Sequence, residues 1–121
     1  MATFTKAILS GSTSGKGVQV VATATAGTLI HTAVAGASAL DEIWLYAVNS
    51  DTTARKLTVE WGGVSSPDDL IEFTVPAESG LYLITPGLVI KGNATTALIV
   101  RAFCATANVV SIAGFVNRIT A

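Results

Sequence analysis

Apolar and polar residues alternate with a period of two along nearly the whole chain. This is the period of a pleated strand, whose successive side chains point to opposite faces. The clearest run is 41–49, in which Trp44, Tyr46 and Val48 fall on one face and Ile43, Leu45 and Ala47 on the other. Both faces are apolar, which predicts a central strand covered on both sides. Arg55–Trp61 alternates as a half-exposed strand, with Leu57, Val59 and Trp61 inward and Lys56, Thr58 and Glu60 outward. Asn49-Ser-Asp-Thr-Thr53 supplies a turn, so the two runs read as a hairpin. Trp44 and Trp61 are then expected in the core, on adjacent strands.

Further strands are expected over 4–9, 17–25, 28–34, 70–75, 81–84, 88–91, 97–104 and 109–119. Thr85-Pro-Gly87 separates two of them, and Gly114 marks a bulge in the last. Glycine and serine make 10–17 a flexible loop, and small or turn-forming residues fill 35–39, 62–69, 76–80, 92–96 and 105–108. About eight to ten short strands with turns every 8–12 residues are the mark of an all-β sandwich or barrel. The expectation is a single domain over 1–121, a jelly-roll-like β-sandwich, with an immunoglobulin-like sandwich as the alternative.

Composition sharpens this picture in one respect. Charged residues make up 12% of the chain, about half the usual ~25%. A surface covered by Thr, Ser, Ala and Gly is tolerable where much of it is shared with partners, because interface centres are depleted in charge. Self-association is therefore expected. Net charge is −1, and the seven Lys and Arg residues are scattered, with only Arg55 and Lys56 adjacent. That predicts no basic patch and no nucleic-acid partner. Mean hydropathy is +0.60, yet no stretch reaches the ~18 apolar residues of a spanning helix. The start, Met1-Ala-Thr-Phe-Thr-Lys6, lacks the basic-then-apolar order of a signal peptide, so a protein made in the cytoplasm is expected. The lone Cys104 sits in an apolar run and reads as a small buried hydrophobe.

No catalytic, cofactor-binding or metal-binding set emerges, and the chain is not read as an enzyme. Gly11-Ser-Thr-Ser-Gly-Lys-Gly17 has three residues between its first two glycines, where a phosphate loop needs four. A glycine also stands where that loop needs Ser or Thr, and a strand-like segment follows in place of a helix. His31, the single histidine, lacks a Gly-x-Ser-x-Gly elbow elsewhere in the chain. A His–acid–hydroxyl set meeting in a pocket would be needed to give it a catalytic role. Asp68, Asp69 and Glu72 lack the spacing of a calcium loop and read as a solvated turn. Asn93-Ala-Thr95 matches a glycosylation sequon and reads as a turn. As interface anchors the sequence offers Arg101 and Phe103, which share a face opposite Val100 and Ala102, and Phe115 and Arg118 near the end of the last strand.

Four segments carry a resemblance: Asp41-Glu-Ile-Trp-Leu-Tyr-Ala-Val-Asn49, Leu57-Thr-Val-Glu-Trp-Gly62, Gly87-Leu88 and Asn108-Val-Val-Ser-Ile-Ala-Gly-Phe-Val-Asn-Arg-Ile119. From near Leu29 onward the chain resembles small virion proteins encoded among the structural genes of tailed phages. The resemblance implies a capsid cement or decoration protein: a β-sandwich or jelly roll, often trimeric, on the outer face of the head. The implied partners are further copies of the chain and the major capsid protein, and the implied location is the virion. A place on the tail or at the head–tail junction is a related version. In this reading the segment before the Gly/Ser loop is an extended arm able to reach a neighbouring subunit. A different reading is a carbohydrate- or receptor-binding β-sandwich, which requires exposed aromatic residues gathered on one face.

Overall fold

The structure is a computed structural model that describes residues 3–36, 38–92 and 95–120. The sequon at Asn93 and the turn around it lie partly outside these residues. Nine strands follow one another: β1 (Thr3–Ile8), β2 (Val18–Gln19), β3 (Thr28–Thr32), β4 (Ala39–Asn49), β5 (Arg55–Trp61), β6 (Leu70–Val75), β7 (Tyr82–Ile90), β8 (Ile99–Cys104) and β9 (Val110–Thr120). They form two antiparallel sheets. Sheet A has the order β1-β9-β4-β7, with β2 pairing the other stretch of β9, and sheet B has the order β3-β8-β5-β6.

These orders are those of a jelly roll. If β1 and β2 count as one interrupted strand, the chain is a long hairpin pairing β1/β2 with β9, β3 with β8, β4 with β7 and β5 with β6. Rolling that hairpin sends alternate pairs to opposite sheets, which is the double Greek key of the fold. Residues of alternate parity face inward from both sheets and meet in one core. Ile43, Leu45, Ala47, Ile112 and Val116 come from sheet A, and Ile30, Leu57, Val59, Val100 and Ala102 from sheet B. Cys104 is buried among them, as expected.

Several expectations about individual elements are corrected. β4 and β5 are not a hairpin, because the chain crosses from sheet A to sheet B between them. The Asn49 side chain fixes that crossing. Its amide nitrogen donates to the Thr53 and Val75 carbonyls, and its oxygen accepts from the Asp51 amide. Trp44 and Trp61 therefore lie in different sheets. Trp61 packs against the core, whereas Trp44 lies on the outer face of sheet A, stacked on Phe115 with ring centroids 6.1 Å apart. The Trp44 face of β4 is half-buried, and among the described residues no further strand packs over it.

The two strands expected around Pro86 are one, β7. Proline is tolerated there because β7 is an edge strand, whose outward amides need no ladder partner. Its register against β4 shifts twice, on either side of the Trp44–Leu45 pair. At Gly87 φ is +77°, and a Cβ would come within 2.9 Å of the Trp44 ring. The strand expected over 17–25 shrinks to two residues. β9 runs through Gly114 without a bulge, in continuous register with β4. Glycine is needed there because a Cβ would collide with the Trp44 carbonyl oxygen. The N-terminal segment is not a free arm: β1 pairs with β9 of the same chain over its whole length. Thr58 and Glu60 are buried rather than outward-exposed. The segment before β3 covers them, with the Thr25 hydroxyl and the Gly27 amide each donating to the Glu60 carboxyl at 2.7 Å.

Thr85 on β7 is buried, and its hydroxyl is the one buried side-chain polar atom among the described residues without a hydrogen-bond partner. Leaving such a group unpaired costs about 1–3 kcal/mol. Thr85→Val removes the hydroxyl and keeps the branched shape, so it should stabilise the protein by about 1 kcal/mol. A urea-denaturation midpoint that fails to rise would show that the hydroxyl is satisfied in solution.

Candidate functional site

Two places in the molecule gather chemistry: a buried ionic cluster at one end of the sandwich and the outer face of sheet A.

The cluster is built by a β-bulge. Along β3, Leu29 pairs with Arg101 and His31 with Val100, so Ile30 is an extra residue without a partner. Side chains alternate across a strand, so without this insertion His31 would point outward. With it, Ile30 and His31 are both buried. His31 Nε2 lies 2.8 Å from Asp41 Oδ2. Asp41 stands opposite Arg118 in the β4–β9 ladder. Arg118 grips it with two bonds, Nε to Oδ1 at 2.7 Å and Nη2 to Oδ2 at 2.9 Å. The Val34 amide adds a fourth donor at 3.2 Å. Asp41 is fully buried, and burial pushes a carboxyl toward its neutral form. Here the hydrogen bonds of Arg118 and His31 and the charge of Arg118 outweigh that effect and hold the Asp41 pKa below the ordinary carboxylate value. The same bonds hold the Arg118 guanidinium above its ordinary value.

The arrangement has part of the composition of a catalytic triad and none of its freedom. The Ser10 amide donates to His31 Nδ1 at 3.0 Å. A backbone N–H can only donate, so Nδ1 carries no proton and Nε2 carries the one given to Asp41. The Ser10 hydroxyl faces elsewhere, accepting from the Thr32 amide at 2.6 Å. No ring nitrogen is left to take a proton from a nucleophile, and among the described residues no cleft or cavity opens on the surface. The cluster is a tie joining β3 of sheet B to β4 and β9 of sheet A.

The outer face of sheet A is read off the register. Four rows of side chains cross the sheet from β1 or β9 toward β7: Phe4, Ile119 and Leu40; Lys6, Asn117, Glu42 and Val89; Ile8, Phe115, Trp44 and Pro86; and Ala113, Tyr46 and Leu83. Phe4 is 71% exposed, Ile8 52%, Leu83 46% and Val89 48%. Among the described residues these rows carry two charged groups, each engaged within the face. Lys6 Nζ sits 4.5 Å from the centroid of the Phe115 ring, and the Glu42 carboxylate accepts from Trp44 Nε1 at 2.8 Å and from Asn117 Nδ2 at 3.0 Å. The Asn117 bond, and then the Trp44 bond, keep the Glu42 pKa below its ordinary value. The outer face of sheet B shows Lys56 and Glu72, paired at 2.8 Å, and the half-buried Arg101, while Glu60 is buried beneath the segment before β3.

The four residues proposed as anchors from sequence do not form one patch. Arg101 and Phe103 lie on the outer face of sheet B, opposite Val100 and Ala102. Phe115 lies on the outer face of sheet A, and Arg118 is held by Asp41 at the end of the sandwich. Among the described residues no three His, Cys, Asp or Glu side chains converge as a metal site. Asp69 accepts from the Ser65 amide within its own loop. The Gly/Ser loop packs on the sandwich, with the Gly11 amide donating to the Ile30 carbonyl and the Ser12 amide to the Leu9 carbonyl. The Asp41 cluster was missed because two of its signals are not local. The bulge that turns His31 inward is invisible in the alternation, and Asp41 and Arg118 meet only through the strand order. Compared with protein-family models, with curated proteins and with solved structures, the chain matches nothing.

The cluster predicts an acid limit to stability. The folded pKa of Asp41 lies below its unfolded value, so the unfolded chain takes up the proton first. The contribution is fully present above about pH 4 and is lost as pH falls through the folded pKa. Asp41→Asn, which leaves Arg118 and His31 without their anion, should cost about 3 kcal/mol at neutral pH. It should also flatten the loss of stability below about pH 4, read from denaturant midpoints across pH. An acid slope equal to that of the wild type would mean that Asp41 is not the titrating group.

Proposed function

We propose that the protein is a non-enzymatic structural subunit that works by presenting flat surfaces to other proteins, and specifically a tailed-phage cement or decoration protein bound as a homo-oligomer, with a trimer favoured, to the outer surface of the head. The observation that carries this reading is the broad outer face of sheet A, aromatic at its centre and edged by the exposed apolar residues Phe4, Ile8, Leu83 and Val89. Small-molecule sites are concave, whereas a broad, flat apolar face suits a macromolecular partner. The scarcity of charge along the chain agrees with surfaces shared between subunits. The resemblance of the segments from Leu29 onward to virion proteins supplies the capsid as the second partner. Several weak contacts per oligomer would act together there, so avidity need not rest on any tight single contact.

One observation favours a second reading, a carbohydrate-binding module. Trp44, Tyr46 and Phe115 lie on one sheet face beside Glu42, Asn117 and Lys6, and aromatic rings flanked by hydrogen-bonding groups suit a sugar.

The first test is the absolute mass of the protein by light scattering behind size exclusion, at concentrations spanning about a hundredfold. The expected result is a trimer whose mass does not change with dilution. A monomer throughout would remove the homo-oligomer. Co-sedimentation with assembled tailed-phage heads then tests the capsid partner. Binding to a glycan array with no binding to heads would replace the structural reading with the second one.

A further inference from the structure

We infer that the outer face of sheet A is the surface through which copies of this chain meet, which rests on the homo-oligomer of the proposed function and says where its interface lies. The argument starts from area. Four strands about 4.8 Å apart, crossed by an eleven-residue β4 rising about 3.3 Å per residue, span a face of roughly 600 Å². That is about a tenth of the 6185 Å² accessible surface, close to the roughly 800 Å² per partner of a stable interface.

Charge then selects a second copy as the occupant. The face carries one cation, Lys6, and one anion, Glu42, so it has no net sign with which to recognise a strongly charged partner. Both groups are already engaged within the face, Lys6 over Phe115 and Glu42 by Trp44 and Asn117. Neither would enter an interface without a partner, which is the usual cost of burying a charge. Each copy brings opposite charges at two places on the face, Lys6 on β1 and Glu42 on β4, so one part of the face can meet a different part of the next copy's, the head-to-tail contact that a closed trimer needs. The margins of the face agree. Phe4 and Ile8 on β1 and Leu83 and Val89 on β7 are exposed and apolar, so the face is sticky at both edges as well as at its aromatic centre. A chain with net charge −1 has little electrostatic repulsion to keep such a face in water. Covering it with a second copy leaves the charged outer face of sheet B, with Arg101 and Phe103, for a different partner.

The test uses exposed positions, so that the isolated fold is little changed. Leu83→Lys should convert the wild-type oligomer to monomer, with a two- to threefold fall in mass by light scattering. Thr74→Lys, on the exposed outer face of sheet B, should leave the mass unchanged. An oligomer that survives Leu83→Lys would overturn this interface and leave self-association standing. A wild-type monomer at every concentration would overturn both. Should Leu83→Lys fail to fold, Val89→Cys treated with a short bismaleimide decides the matter, because the native Cys104 is buried. Cross-linked pairs from Val89→Cys and none from Thr74→Cys would support the interface. Equal yields from the two, or no cross-linking from Val89→Cys, would overturn it. Head binding is scored separately, so loss of the capsid reading does not imitate loss of this one.

Discussion

The Asp41 carboxylate is the constraint on which one end of the sandwich depends. A fully buried anion is stable in a protein only when charged or hydrogen-bond donors surround it. Asp41 has four, drawn from three residues: Arg118 twice, His31 and the Val34 amide. Each donor fixes a piece of the architecture. Arg118 opposite Asp41 sets the register of β4 against β9, the longest ladder in the molecule. His31 reaches Asp41 only because the bulge at Ile30 turns it inward. The Ser10 amide, by occupying the other ring nitrogen, ties the loop after β1 to the same centre. A one-residue slip of β4 against β9 would move Asp41 off Arg118 and turn the whole apolar set outward. Ionic and hydrophobic specifications of register therefore agree, as consistency between levels of structure requires.

A second polar centre does related work on the other sheet. The Glu60 carboxyl, also fully buried, accepts from Thr25 and Gly27 and so holds the irregular segment before β3 against the outer face of sheet B. Hydrogen bonds carry that covering where apolar packing would ordinarily do so. The Thr28 hydroxyl adds to it by accepting from the Val21 and Ala22 amides. The stretch expected to be a long second strand is thereby used as a cover, with backbone groups satisfied by side chains in place of a ladder. Sheet B thus has part of its outer face closed by its own chain, and among the described residues no comparable segment covers sheet A.

The fold class was legible in the sequence because it rests on local signals: alternation, β-branched residues and regularly spaced turns. Boundaries of β5 and β6 were legible for the same reason, as was the burial of Cys104. What alternation cannot report is which layer covers a face. It assigned Thr58 and Glu60 to solvent because they are polar, and Trp44 to the core because it is large and aromatic. Both assignments fail for one reason: burial depends on neighbours brought in from distant sequence. The hairpin between β4 and β5 failed similarly. A short turn between two strands is equally compatible with pairing and with a crossing between sheets, and only the Asn49 bonds to Thr53 and Val75 distinguish the two. The candidate surface was legible in part. Phe115 was named, but Phe4, Ile8, Leu83 and Val89 become a patch only when four strands lie side by side.

The failed expectation for β4 bears on what the surface is for. Apolar residues on both faces from Ile43 to Val48 imply a strand with neighbours on both sides of its sheet. The molecule supplies the inner neighbour, the core of the sandwich, and leaves the outer positions Leu40, Trp44, Tyr46 and Val48 half-buried. A jelly roll does not itself explain such a face, since the fold serves many functions and the outer side of its sheets ordinarily meets water. Nor does stability explain it, because replacing exposed apolar residues by threonine would serve a solvated sheet as well. The amino-acid pattern of β4 describes a buried strand, and within one copy it is only partly buried. If a second copy supplies the missing layer, the pattern and the scarcity of charge have one cause, and the sequence is that of a strand in an assembled sheet rather than in a free one.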